Sequence, residues 1–113
     1  MLTIYHNPRC RKSRETLALI ENAGVEVEIV EYLKEIPTAA EIKSILKKLG
    51  IRAEQLLRKN EAVFKENYKG KNLQEDEWIQ AMVDNPKLIE RPIVIQGEKA
   101  ILGRPPENVS AFL

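Results

Sequence analysis

The chain has 113 residues, with 18 Lys and Arg against 17 Asp and Glu for a formal net charge of +1, and it holds a single Cys and a single His. That length gives one domain, large enough to bury a core without covalent staples, and one Cys with one His supplies neither an internal disulfide nor an ordinary Cys/His zinc site. The balanced charge offers no general attraction for nucleic acid or anionic lipid, and no basic-headed leader or apolar run of about 18 residues occurs, so the expectation is a cytoplasmic protein that takes neither nucleic acid nor membrane as partner.

Leu2, Ile4 and Tyr5, closed by the turn formers Asn7–Pro8, predict a short strand. From about Arg11 to Ala23 the apolar residues Leu17 and Ile20 recur at helical spacing, and Gly24 is the stop. Residues 25–30 alternate apolar and acidic side chains and predict a second strand, parallel to the first across the intervening helix. Thr38 and Glu41 form a capping box for a helix whose buried stripe is Ile42, Ile45, Leu46 and Leu49, ended by Gly50. A short helical piece around Ala53 to Asn60 carries Leu56 and Leu57, whereas Glu61 to Lys71 is charged, poorly periodic and read as exposed helix and loop. Asn72 with Glu75 suggests a cap for a helix that turns Trp78, Ile79, Met82 and Val83 inward and stops at Asn85–Pro86. Residues 92–96 and 99–103 predict a hairpin with Gly97 in its turn, and Pro105–Pro106 open a final helix bearing Val109, Phe112 and Leu113. The order β-α-β, helices, β-β-α predicts an α/β protein: a mixed parallel and antiparallel sheet in a thioredoxin-like fold, one domain over residues 1–113, with a helical insertion at about 38–88.

Cys10 falls at the start of the first predicted helix, where unpaired backbone N–H groups and the helix dipole favour negative charge. Arg9, Arg11, Lys12 and Arg14 crowd the same loop, and His6 lies just upstream. These are conditions that lower a thiol pKa from ~8.5 and make a nucleophile, the alternative being a small cysteine packed as an apolar residue. A phosphatase-type C-x5-R loop is disfavoured because Thr16 stands where the arginine belongs. Ser13 replaces the second cysteine of a C-x-x-C motif, so any redox cycle must be completed by an external thiol. Ser13 either offers its hydroxyl to the Cys10 sulfur or is a plain first-turn serine, and His6 is either a general base or a polar residue at a strand end. Arg91–Pro92 precedes the third strand. A cis X-Pro bond there would aim Arg91 toward Cys10, whereas a trans bond would leave the arginine in solvent. Arg58 and Arg104 are anion ligands or surface arginines. Trp78 reads as core, the series Glu15, Glu21, Glu26, Glu28, Glu31 and Glu35 as a solvated face, and no metal-spaced cluster or phosphate loop is present.

The run Ile4-Tyr5-His6-Asn7-Pro8 with Cys10, then Ser13-Arg14, Glu31-Tyr32-Leu33, Gly50-Ile51, Leu56 to Asn60, Pro86, Leu88-Ile89, Arg91-Pro92-Ile93-Val94 and Arg104-Pro105, resembles the ArsC/Spx family over nearly the whole chain. The likeness is to its glutaredoxin-coupled arsenate reductases, thioredoxin-fold proteins. What the resemblance implies is an oxidoreductase in which Cys10 attacks arsenate, Arg58, Arg91 and Arg104 hold the oxyanion, and His6, Ser13 and Arg14 assist the thiolate. It implies glutathione as co-substrate, glutaredoxin as partner, no bound cofactor or metal, and a monomer. The alternatives are a glutathione-dependent thiol oxidoreductase without arsenate specificity and an Spx-like regulator that binds RNA polymerase. Arg11-Lys12 depart from the small residues that plasmid-type reductases carry between the cysteine and the serine.

Overall fold

A computed structural model describes all residues from Met1 to Leu113. Its internal contacts divide the chain into two compact units, Met1–Glu35 with Arg91–Leu113, and Ile36–Glu90.

The first unit holds strand β1 (Leu2–Tyr5), helix α1 (Arg11–Asn22) and strand β2 (Val27–Val30); the second holds helices α2 (Ala39–Leu49), α3 (Ala53–Leu56), α4 (Ala62–Asn67) and α5 (Glu75–Asp84). The chain then returns to the first unit with β3 (Ile93–Gln96), β4 (Lys99–Leu102) and a 3₁₀ helix, Pro106–Phe112. The four strands form one sheet in the order β2-β1-β3-β4. β1 pairs parallel with β2, Leu2 opposite Val27, and antiparallel with β3, which pairs antiparallel with β4. This mixed sheet with the β-α-β and β-β order is the thioredoxin-like fold. Leu2 and Ile4 of β1, Ile20 of α1, Val94 of β3 and Val109 of the last helix form the buried cluster, so the sheet and both helices share one core. Gly24 has φ +73° and its N–H donates to the Glu21 carbonyl, which ends α1 as its left-handed residue requires.

Two elements of this unit differ from their sequence patterns. β2 starts at Val27, two residues later than its alternation begins, and Ile29 is 43% exposed. The cause is position: β2 is an edge strand with a single neighbour, so its alternation does not sort cleanly into a buried and a solvated face. The terminal segment is 3₁₀ and not α, the tighter winding common in short end pieces.

In the second unit, α5 lies against α2, α3 and a 3₁₀ turn at Pro86–Leu88. The Thr38 box forms as its spacing predicts: the Glu41 N–H donates to Thr38 Oγ1 and the Thr38 N–H donates to Glu41 Oε1, each at 3.1 Å. The cap of α5 sits two residues beyond its predicted place. Glu77 accepts the Gln74 N–H at 2.9 Å, because the Glu75 carboxylate instead accepts the Ala53 N–H at 2.9 Å and closes the start of α3. The segment read as exposed buries Phe64, whose ring stacks on Trp78 at 6.1 Å and on Tyr68 at 6.4 Å. An antiparallel bridge pairs Leu57, just after α3, with Ile89 near the end of this unit.

Ile4 is fully buried in the central strand pair, so Ile4→Ala is expected to cost about 2–5 kcal/mol in urea unfolding. Thr38→Ala, which removes one half of a solvent-exposed cap, is expected to cost about 1 kcal/mol in the same measurement.

Candidate active site

β1 delivers the chain into the turn at Asn7 and α1 carries it away, and the residues between are tied down by short polar contacts. Asn7 Oδ1 accepts the Arg9 N–H at 3.0 Å, and the Asn7 carbonyl accepts the Cys10 N–H at 3.0 Å. The Asn7 N–H in turn donates to Ser13 Oγ at 3.1 Å, and Arg14 Nη1 donates to the Pro8 carbonyl at 2.9 Å. Asn7 is thus the organiser of the loop, a role its sequence signal, a turn-forming Asn-Pro pair, did not distinguish from an ordinary turn.

Cys10 is the N-cap residue of α1, extended at φ −93° and ψ 122°, and half-buried. Its sulfur makes no full capping hydrogen bond, yet it faces the first-turn N–H groups of Ser13 and Lys12. Two arginines reach it from the end of the chain. Arg104 Nη2 lies 3.8 Å from Cys10 Sγ while Arg104 Nε donates to the Arg91 carbonyl at 2.8 Å, and the Arg91 guanidinium hydrogen-bonds the Cys10 side chain. The Arg91–Pro92 and Arg104–Pro105 peptides are both cis. Burial pushes the Cys10 thiol up, but the Ser13 amide, the Arg91 hydrogen bond and charge, and the Lys12 amide outweigh it and hold the thiol below its ordinary value.

The cations that act on the sulfur are therefore not the ones its sequence neighbourhood suggested. Arg11 pairs with Glu15 at 2.9 Å with its side chain 86% exposed, Arg14 is spent on the Pro8 carbonyl, and Arg9 and Lys12 are exposed. Side chains at the first turn of a helix spread into solvent, and only the backbone N–H groups of that turn converge on the N-cap.

Ser13 is fully buried and its hydroxyl does not cap the sulfur. It accepts from Asn7 and lies 2.6 Å from His6 Nδ1. Burial holds His6 below its ordinary pKa against the raising charge of Glu31, with Arg14 lowering and Glu21 raising it further away. The direction of this His6–Ser13 hydrogen bond is set by the tautomer of the neutral ring. Arg58 belongs to the second unit. There its Nη1 donates to Glu90 Oε1 at 2.7 Å, its Nε lies 3.6 Å from Glu61 Oε2, and its backbone N–H donates to the Leu88 carbonyl at 2.7 Å. No group of His, Cys, Asp or Glu side chains is placed to hold a metal ion, and no helix is long and apolar enough to cross a membrane.

A family model described as the ArsC family matches residues 5–112. An Escherichia coli protein, described as uncharacterized protein YfgD, is 55% identical over 108 residues, covering 94% of this chain and 91% of its own. An arsenate reductase of Haemophilus influenzae is 47% identical over 112 residues, covering 97% of each chain. Among solved structures, an arsenate reductase from Vibrio cholerae matches with a TM-score of 0.94 at 44% identity, over 99% of this chain and 97% of that one.

Two pH measurements follow from the site. The rate of Cys10 alkylation by iodoacetamide should rise with a midpoint below the ordinary thiol value, and Arg91→Ala should move that midpoint up; an unchanged midpoint would remove Arg91 from the sulfur. For His6 the folded pKa lies below the unfolded value of 6.5, so the stability tied to its neutral form is complete above pH 6.5 and declines as pH falls below it toward the folded pKa. His6→Asn, whose amide can still hydrogen-bond Ser13, should flatten that part of the stability profile measured by urea unfolding.

Proposed function

From the membership of this chain in the ArsC family, we propose that it reduces arsenate to arsenite, with the Cys10 thiolate as nucleophile and with glutathione and glutaredoxin as external reductants. The observation that carries the proposal is the convergence of two guanidinium groups and two helix N–H groups on one half-buried sulfur. A tetrahedral oxyanion of charge near −2 needs several donors that stay charged at every physiological pH, and arginine provides paired N–H groups that do. The same groups that favour the Cys10 thiolate would meet the arsenate oxygens as charge builds on them.

The chemistry balances with one protein thiol and two external ones. Cys10 sulfur forms a bond to arsenic(V) as one arsenic–oxygen bond breaks and leaves as hydroxide or water. The thiol of glutathione then joins the adduct as a second arsenic–oxygen bond breaks and that oxygen leaves as water; the two sulfurs each give up one electron and pair, and arsenic(III) takes up water and departs as arsenite, leaving a Cys10–glutathione disulfide. A glutaredoxin thiol exchanges with that disulfide and returns the Cys10 thiolate. His6 and Ser13 are assisting residues in this scheme because their contact, with Asn7, fixes the turn whose N–H groups face the sulfur; Arg14 assists by holding the Pro8 carbonyl. The resemblance adds Arg58 as a third oxyanion ligand, which we propose on that ground alone. A cavity of about 260 Å³ lined by His6, Asn7, Pro8, Arg9, Glu31, Leu33 and Lys34 flanks the loop, and its mixed charge suits a small zwitterionic peptide such as glutathione. In this scheme residues 1–113 act as one domain with the segment at about 38–88 inserted, as a monomer in the cytoplasm, where a free thiol stays reduced.

A coupled assay with arsenate, glutathione, glutaredoxin and a nicotinamide-linked regenerating system should show turnover that is abolished in Cys10→Ser. Arg91→Ala should lower kcat/KM by about 10²–10³-fold, the usual cost of one donor to a developing oxyanion, with little change in thermal unfolding. Absence of arsenate turnover with several glutaredoxins would overturn the assignment.

A further inference from the structure

Thr16 stands six residues after Cys10, where a C-x5-R anion loop carries its arginine. It lies on the inward stripe of α1 with Ser13 and Ile20 and is fully buried. Its hydroxyl donates to the Lys12 carbonyl at 2.8 Å and lies 3.4 Å from the carbonyl of Gly103, the residue before Arg104. Gly103 is buried and has no need of glycine's conformational freedom, since the positive φ values belong to Gly24, Gly50, Gly70 and Gly97. What it needs is room. A Cβ there would lie 2.6 Å from Thr16 Oγ1, 2.7 Å from Pro92 Cγ and 3.0 Å from Thr16 Cγ2.

We propose that Thr16 and Gly103 are positioning residues: the contact of bare backbone at Gly103 on Thr16 sets how closely Arg104 approaches Cys10, so that the segment after β4 supplies the arginine that position 16 does not. The inference rests on Cys10 and Arg104 being the reactive pair. The parts are coupled by short bonds. The Gly103 N–H donates to the Pro92 carbonyl at 2.9 Å and Arg104 Nε donates to the Arg91 carbonyl at 2.8 Å, so the two arginine-bearing segments move together. A methyl group at 103 needs about 0.8 Å more space to reach ordinary contact with Thr16, which starts near 3.4 Å. Thr16 cannot yield by rotation, because its hydroxyl is held by Lys12 and its methyl group is also crowded. Pro92 Cγ can shift only by a change of ring pucker, because the ring is fixed to the backbone. The displacement therefore falls on Arg104, whose 3.8 Å approach is already at the long end of a hydrogen bond to sulfur.

The test is the pH profile of Cys10 alkylation by iodoacetamide in the full chain, for Gly103→Ala, Arg104→Ala and the double variant. Gly103→Ala is expected to raise the midpoint and slow alkylation at pH 7 by about threefold or more, as a smaller thiolate fraction requires. The double variant is expected to go no further than the stronger single one, since the guanidinium can be lost only once. A folded Gly103→Ala with the wild-type midpoint, or two effects that add in full, would overturn the proposal. Where Gly103→Ala does not fold, Gly103→Ala with Thr16→Ala removes both Thr16 atoms that crowd the new methyl. Its midpoint is expected to lie nearer the wild type than that of Arg104→Ala, and a midpoint equal to that of Arg104→Ala would overturn the proposal. None of these readouts involves arsenate, so a failed turnover assay with the expected midpoints leaves the positioning role intact and removes only the substrate.

Discussion

Burial of a thiol at the start of a helix opposes its ionisation, and the contacts around Cys10 are arranged to offset that cost. Removal from water favours the neutral thiol. Against it stand the Ser13 and Lys12 amides, which are free to face the sulfur because a helix leaves its first N–H groups without partners, and the Arg91 guanidinium. Each of these has its own support. The amides are fixed by the Asn7 turn and by Ser13, and the arginine segments are laced together by Arg104 on the Arg91 carbonyl and by Gly103 on the Pro92 carbonyl. The sheet order matters for the same reason, since β3 and β4 must follow β1 on one side for their ends to arrive at the start of α1.

What was legible in the sequence is what depends on near neighbours. The stripe of α2, its Thr38 box, the glycine stops after α1 and α2, and the hairpin at Gly97 all follow from spacing over a few residues. The position of Cys10 at a helix start was legible on the same grounds. The acting cations were not legible from near neighbours. The four basic residues beside Cys10 are spent or exposed, while Arg91 and Arg104, which the Arg91–Pro92 pair and the family resemblance pointed to, come from segments before β3 and after β4 that no local spacing ties to residue 10.

The other misplacements have the same origin. Glu75 was read with Asn72 because the spacing suits a cap, but a carboxylate takes whichever free N–H is nearest in space, and that is Ala53 at 2.9 Å. Glu61 to Lys71 looked solvated because its apolar residues Ala62, Val63 and Phe64 are consecutive and do not recur along the charged segment as a stripe; Phe64 is nonetheless buried, since a single ring stacked on Trp78 removes as much surface as several aliphatic groups. Thr16 carried meaning only as a missing arginine until Gly103 was seen against it. Ser13 was a candidate for the sulfur through its hydroxyl and instead serves it through its amide.

The order of the chain has a consequence for when this thiol becomes reactive. Cys10 and the helix it caps are made before Arg91, Arg104 and the glycine that seats Arg104. A growing chain shorter than about ninety residues holds the cysteine without either guanidinium, and its thiol has only the helix amides to favour ionisation. The full set of donors around the thiol is complete only once the segments flanking β3 and β4 stand against the start of α1.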